Sequence, residues 1–582
     1  MTAAEVDLLV RGTLVDVNTG TLRDTAVAVD DGEIVALGER PATREIETEF
    51  VAPGLIDAHM HVESSMVTLP RYGAAVVPKG VTSVIHDPHE IANVLGAAGV
   101  RSLLADAAHT PLKARITVPS SVPASHLQDG GATVDATEVA DLLDEDRVVA
   151  LGEVMNVPGV LAGDEAVHAK IDAARQRGLP VDGHAPRVTG SDLQEVARYL
   201  DNDHESIAIE EAREKVQAGM RVYLREGSAS KNLADLVGLV DEVDSRRLSL
   251  CTDDRDVLDL VEAGGVDAVL AQAISHGVDP VEAVQLATIN TAESYGLPVG
   301  RVEPGAPADL VLLSDLESWA VDHVVVDGVV DPTADAAEPP ASAIATDTVR
   351  FDPVDAADLA IEHEGPGPVT VRVVDAIGGL QTGRMEASVP VSTVVAAAEA
   401  SEGGFEDGSE DRSEDESAAS TGVLAADTEA DVHPMAVVER HGGDGGIGRG
   451  FVHRLGLDRG AVGSTVAHDA HNCIVAGVDH DSMARVANHL REIEGGVAVY
   501  DPAAEETHSL ALPVAGLMSD RPLGAVRDDF EVVEAAARDV GLHHDGGLME
   551  LSFLALEVIP EYRLTNNGLV DVDRFDYVDV IT

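Results

Sequence analysis

Short apolar runs broken by turn residues open the chain. In "VDLLVRGTLVDVNTGTLRDTAVAVDDGEIVALGE" (6–39) apolar stretches meet turn signals at Asn18–Gly20 and Asp31–Gly32, which predicts short strands over 1–52. The same texture returns in "GRVEPGAPADLVLLSDLESWAVDHVVVDGVVD" (300–331). Two strand-rich pieces so far apart predict one small β-sandwich domain built from both flanks, 1–52 and 300–350, around an inserted domain. Over 53–299 the pattern changes. Strand-like runs, "GVTSVIHD", "VVALGEVMN", "LPVDGHAP", "SIAIEEA" and "RRLSLCTDD", most ending in polar residues, alternate with helical stretches such as "AVHAKIDAARQRG" (166–178) and "NLADLVGLVDEV" (232–243). This alternation predicts an α/β fold, a (β/α)8 TIM-like barrel. A doubly wound sheet is the runner-up, and it is disfavoured because no glycine-rich phosphate fingerprint follows the first strand. From 351 to 582 the pattern reads as an α+β C-terminal domain. It is interrupted by "SEGGFEDGSEDRSEDESAASTG" (401–422), whose dense charge and lack of apolar periodicity predict a disordered insert.

Charge narrows the class of partners. There are 104 acidic against 39 basic residues, a net charge of −65, so phosphate is repelled and nucleic acid is a poor partner. The acid is spread along the whole chain, which argues against an interaction tail. In molar salt, where the Debye length is about 3 Å, such self-repulsion is screened; the composition therefore predicts a cytoplasm adapted to high salt. The two cysteines, Cys251 and Cys473, suit a reducing compartment. No apolar run is long enough to span a bilayer and no basic-then-apolar leader opens the chain, so no membrane is expected and a soluble cytoplasmic location is.

The candidate chemistry sits at the predicted strand ends. In a strand, positions i and i+2 share a face, so His59 and His61 of "IDAHMHVESSM" (56–66) point the same way and can grip one metal ion. Taken alone, such a pair also fits an ordinary surface. Glu153, His184, His204, Asp253 and Asp254 lie near the C-terminal ends of later runs, and in a barrel those ends face one opening. Histidines and carboxylates converging there are a ligand set for Zn, Mn or Fe. Glu63 shares the parity of the pair but lies past the strand end, as a loop or supporting residue. "HDPHEIANVLG" also reads as a capped helix start, with Asp87 as cap and Glu90 three residues on. "AHDAHN" (467–472) reads equally well as a packing element or a site element.

"APGLIDAHMHVESSM" resembles the opening of the amidohydrolase superfamily barrel. "KGVTSVIHDPHEIANVLG", "GEVMNVPGV", "VYLREGSASKNL" and "STVAHDAHNCIVAGVD" narrow the resemblance to the adenine deaminase family of bacteria and archaea, over nearly the whole chain. The resemblance implies a metal-dependent hydrolase that converts adenine to hypoxanthine and ammonia in purine salvage. It implies two divalent ions, Mn or Fe with Zn as a further option, held by His59, His61, Glu153, His184, His204 and Asp253, Glu153 bridging where many relatives carry a carboxylated lysine. Catalytic parts fall to Asp253, Glu153 and His89, with Asp254 as the immediate rival of Asp253; Asp87, His89 and Glu90 contact the purine. Family habit implies a dimer or larger homo-oligomer. Two departures stand out: where the family carries a histidine after "DDR" and later a Gly-His pair, this chain has Asp256 and Gly265. The competing readings are another amidohydrolase reaction, such as cyclic-amide hydrolysis, and a non-catalytic metal-binding scaffold.

Overall fold

The computed structural model describes residues 5–333, 341–378, 381–393, 421–443, 445–543 and 547–582. The Asp31–Gly32 signal forms a two-residue hairpin. Both residues have positive φ (49° and 79°), and Asp30 pairs with Glu33 across it, as a tight turn matched to strand twist requires. The strands Val6–Asp16, Thr21–Asp30, Glu33–Leu37 and Ala42–Pro53 join Leu310–Asp315, Ala320–Val326 and Val329–Val330 in one seven-stranded sheet. Its seam is the antiparallel pair Pro53↔Leu310 to Phe50↔Leu313, so the sheet joins both flanks of the intervening domain. Residues 341–350 carry no strand; they run past Asp106 and Asp520, to which Ser342 bonds, toward Arg440.

The inserted domain is an eight-stranded parallel barrel: β1 (Leu55–Met60), β2 (Val81–His86), β3 (Lys113–Val118), β4 (Val148–Val154), β5 (Val181–Gly183), β6 (Asn202–Asp203), β7 (Arg221–Arg225) and β8 (Leu248–Cys251). Strands β1 to β5 form one hydrogen-bonded run and β6 to β8 another. The barrel closes where Asp253 N donates to His59 O (3.0 Å) and His61 N to Asp253 O (3.3 Å). Asp57, buried in β1, reinforces that seam by accepting from Thr252 N (3.1 Å) and Thr252 Oγ1 (2.6 Å). The stretch "SIAIEEA", read from sequence as a strand, instead leads into the helix Ile209–Gln217; the sixth strand is the two polar residues before it. Asp256 and Gly265 are the N-caps of the helices Val257–Glu262 and Val266–Ser275.

The C-terminal part is α+β. An eight-stranded sheet from Val369 to Ala511 carries the helix His480–Glu492 on one face, where Met483, Val486 and Leu490 are buried with Val475 and Ala498. The helix Leu523–Asp539 packs against the barrel helix Val257–Glu262. Residues 401–420 of the acidic insert lie outside the described residues. Its last two, Thr421 and Gly422, open a strand, Thr421–Leu424, where Gly422 pairs with His363 and with Thr393. Both cysteines are buried and unpaired.

Candidate active site

Strand parity places the first pair of imidazoles. His59 lies one residue before the end of β1 and His61 just past it, with Nε2 atoms 3.2 Å apart. His61 Nδ1 donates to Asp87 O (2.8 Å), which fixes the tautomer and leaves the Nε2 lone pair facing the barrel mouth. Asp253 Oδ1 comes within 3.4 Å of His59 Nε2 and 3.1 Å of His61 Nε2. Asp253 holds this position with φ of 58°, a left-handed conformation that Asp tolerates better than most residues and that is typical of functional sites. Across the mouth, Glu153 Oε1 lies 3.5 Å from His61 Nε2, while its Oε2 lies 2.8 Å from His184 Nδ1 and 3.2 Å from His204 Nε2. Glu153 thus stands between the two imidazole pairs, and the His59 and His204 rings stack at 4.0 Å.

The neighbours set the charge of these carboxylates. Burial alone would raise the Glu153 carboxyl, but the imidazoles of His184 and His204 outweigh it and hold it well below the ordinary carboxylate range. Burial is likewise outweighed at Asp253 by the Arg225 guanidinium, which bridges Asp253 Oδ2 and Glu205 Oε1. Asp254 differs: burial and then the Asp253 charge push it up, and its Oδ1 accepts from Ser64 Oγ. Asp253 thus faces the imidazole pair, while Asp254 bonds Ser64 and lines the cleft beside it.

Asp87, His89 and Glu90 follow β2. Asp87 caps no helix; the helix His89–Asp106 starts from Pro88 with no side-chain cap. Asp87 instead accepts from Glu153 N through Oδ2 (2.8 Å) and lies 3.6 Å from His89 Nδ1. This approach requires Gly152, because a Cβ there would sit 2.3 Å from Asp87 Oδ2. His89 Nδ1 is 3.3 Å from Glu153 Oε1 and its Nε2 is 3.2 Å from Glu90 Oε1. Glu63, past the strand end, is buried in a 3-10 turn and accepts from Ile91 N (3.3 Å).

The "AHDAHN" block forms the opposite wall. His471 Nδ1 accepts from Ala467 N (3.2 Å), so Nε2 carries the proton and donates to Glu90 Oε2. His468 Nδ1 lies 2.7 Å from Glu90 Oε1. Arg440, fully buried, braces the block by donating to His471 O, Thr348 Oγ1 and Ala515 O. With Phe553, Leu556 and Ile559, His468 and Asp469 line one side of a narrow cleft whose other side is His61, Glu153, His184, His204 and Asp253. Of the six residues expected to bind metal, five line this cleft and His59 lies against them; of the three expected to contact substrate, His89 and Glu90 line it, whereas Asp87 does not and instead accepts from the backbone of Glu153. Sequence reasoning missed Glu205, Arg225 and the apolar wall. A charged residue ending the apolar run "VYLR" was the available signal for Arg225; the wall has none.

The donor set fits divalent cations. His59, His61 and Asp253, and likewise His59, Glu153 and His204, present ligand atoms within 4.8 Å of one another, all buried. Imidazole lone pairs and ionised carboxylates facing each other in a buried site repel unless a proton or a metal cation lies among them.

The chain matches the amidohydrolase family over residues 50–330 and the adenine deaminase C-terminal domain over residues 410–576. It is 41% identical to an adenine deaminase of Cereibacter sphaeroides, covering 98% of this chain and 97% of that one. It is 39% identical to the adenine deaminase of Desulfatibacillum aliphaticivorans (97% and 95%). With the adenine deaminase of Methanothermobacter thermautotrophicus the identity is 38% (98% and 99%). With this near full-length similarity, the chain belongs to the adenine deaminase family of amidohydrolases.

Proposed function

We infer that the chain hydrolyses adenine to hypoxanthine and ammonia. The observation that carries this reading is the facing of two walls: a barrel-mouth set of four imidazoles and two carboxylates, and a C-terminal wall that sets His468, Asp469 and the apolar Phe553, Leu556 and Ile559 against it. Cyclic-amide hydrolysis and a scaffold role are not favoured, since the similarity to adenine deaminases runs through both the barrel and the C-terminal domain.

His59, His61, Glu153, His184, His204 and Asp253 would hold two divalent ions. When bound, the ions lower the pKa of water and so supply a nucleophile at neutral pH. Asp253 is placed to take the proton of the attacking water and deliver it to the leaving amine. Arg225, on its other oxygen, keeps the carboxylate ionised and aimed. Glu153 sits between the two ligand groups, Asp87 fixes Glu153 through its backbone N–H, and His89 and Glu90 form the polar wall beside the ring. Phe553, Leu556 and Ile559 exclude bulk water.

The all-nitrogen and oxygen donor set, with no thiolate in the cleft, supports Mn or Fe as the ions, with Zn compatible. The net charge of −65 and the two unpaired buried cysteines support work in a reducing, high-salt cytoplasm. The reading is tested by following adenine by ultraviolet absorbance in molar KCl with added Mn²⁺. Conversion to hypoxanthine is expected, and folded, metal-loaded protein that leaves adenine untouched overturns it.

A further inference from the structure

Two polar atoms on the C-terminal wall of the cleft have no partner: Asp469 Oδ2 and His468 Nε2. Both residues line the cleft and each is only 3% exposed. Their other polar atoms face groups already described. Asp469 Oδ1 lies 3.7 Å from His89 Nε2, and His468 Nδ1 lies 2.7 Å from Glu90 Oε1. The His468 ring is held in place by the Phe553 ring stacked on it, with centroids 4.7 Å apart and planes 5° from parallel. Buried polar atoms are nearly always paired, and an orphaned one calls for a ligand or water to meet it.

The chemistry of a purine supplies the match. If C6 and its amine face the barrel-mouth ligand set, the edge that faces the C-terminal wall is the imidazole N–H with the ring nitrogen N3 beside it. This edge offers one donor and one acceptor, and the wall offers one carboxylate oxygen and one imidazole nitrogen on consecutive residues. We propose that Asp469 selects the free base, its Oδ2 accepting the imidazole N–H of the purine while His468 Nε2 serves N3. Burial disfavours the charged form of His468, but Glu90 beside it outweighs burial and pushes its pKa up to about 9; Nε2 therefore carries the proton that N3 accepts. A substituent on the imidazole nitrogen removes the donor and sets carbon against a buried carboxylate. Nucleosides and other N9-substituted purines are rejected on that ground, apart from any steric term. The proposal rests on the reading that this cleft binds adenine.

The test uses two ligands that do not turn over, hypoxanthine and 9-methylhypoxanthine, titrated by calorimetry into the metal-loaded full chain in molar KCl. Wild type is expected to bind hypoxanthine at least about 100-fold more tightly, the range of a hydrogen bond to a charged group plus a lost fit. Asp469→Ala is expected to weaken hypoxanthine by about 10- to 100-fold and to narrow the gap between the two ligands to under about tenfold. Asp469→Asn keeps the shape and removes the charge; it should narrow the gap at least threefold, and it decides the matter alone if the alanine variant does not fold. A wild-type gap below threefold, no binding of hypoxanthine, or equal weakening of both ligands in the variants overturns the proposal. Adenine turnover by wild type is measured alongside. Absent turnover with the gap intact strikes the assigned reaction, whereas turnover with the gap unmoved in the variants strikes the role of Asp469.

Discussion

Lys215 and Asp203 form an ion pair from which solvent is excluded: Nζ lies 2.8 Å from Oδ2 and neither side chain has exposed surface. The same ammonium donates to Ala185 O (2.7 Å), Glu211 Oε1 (2.7 Å) and Ser206 Oγ (3.2 Å), and Asp203 Oδ1 accepts from Ala185 N (2.9 Å). Ala185 follows His184 and Asp203 precedes His204, so one cation fastens together the strand ends that carry both imidazoles.

Replacing Lys215 by Met should therefore act on metal retention. Removing one partner of a buried pair costs about 3–5 kcal/mol, and the freed strand ends lose the spacing of His184 and His204 about Glu153. After dialysis against buffer, elemental analysis should fall from two ions per chain toward one, with a lower melting temperature. Two retained ions and an unchanged melt would show that the clamp is dispensable.

Asp253 and Asp254 should differ sharply despite being adjacent. Asp253→Asn removes the group proposed to carry the proton and should lower kcat by about 10²–10⁴. Asp254 bonds Ser64 and is expected to hold no ion, so Asp254→Asn should cost no more than about tenfold, the loss of one hydrogen bond. Steady-state kinetics on metal-loaded variants check this, and a reversed ranking would reassign the proton carrier.

Gly152→Ala probes the support of Glu153. The new Cβ would meet Asp87 Oδ2 at 2.3 Å and Thr117 Oγ1 at 3.0 Å, so Asp87 must withdraw from the Glu153 N–H. Activity should drop by about 10²-fold, as misplacement by an ångström does, while circular dichroism stays native. Activity within threefold of wild type would mean that the Asp87 contact does not position Glu153.

Glu557 should give the melt a defined pH dependence. It is 2% exposed, and burial, then the nearby Asp469 charge, raises its carboxyl to about 7, against roughly 4.3 in an unfolded chain. Between those values the unfolded chain has released the proton that the folded chain keeps. Stability therefore falls as pH rises through that window, by on the order of 3 kcal/mol at its upper end. Glu557→Gln should melt higher relative to wild type at pH 8 than at pH 4.5, both in molar KCl. Parallel melting curves for the two proteins across that range would refute the assignment.

Much of the barrel mouth was legible because strand period and strand-end placement are local. His59 and His61 share a face by parity alone, and "LGEV", "VDGH" and "LCTDD" each end an apolar run with the group that enters the mouth. The sixth strand was not legible. Asn202 and Asp203 are polar because the amide of Asn202 serves Asp182 and Tyr223 and the carboxylate of Asp203 serves Lys215, so no apolar run marks them, and the apolar alternation at Ile207 and Ile209 drew the reading to a helix start. The Asp87 cap failed for a similar reason: its carboxylate is spent on Glu153 N. The C-terminal wall lay beyond local reach, since the Glu90–His471 contact joins residues 381 apart.

That distance has a consequence for synthesis. The N-terminal strands pair among themselves, but Ala42–Pro53 gains its second neighbour only when Leu310–Asp315 has emerged, which at about 5–20 residues per second takes tens of seconds. The ligand shell can gather once Asp253 is made, but Phe553 to Ile559 come near the end. A nascent chain can thus acquire its ions well before it acquires a closed cleft, and truncation in the last thirty or so residues would leave a metal-loaded protein whose mouth stays open to water.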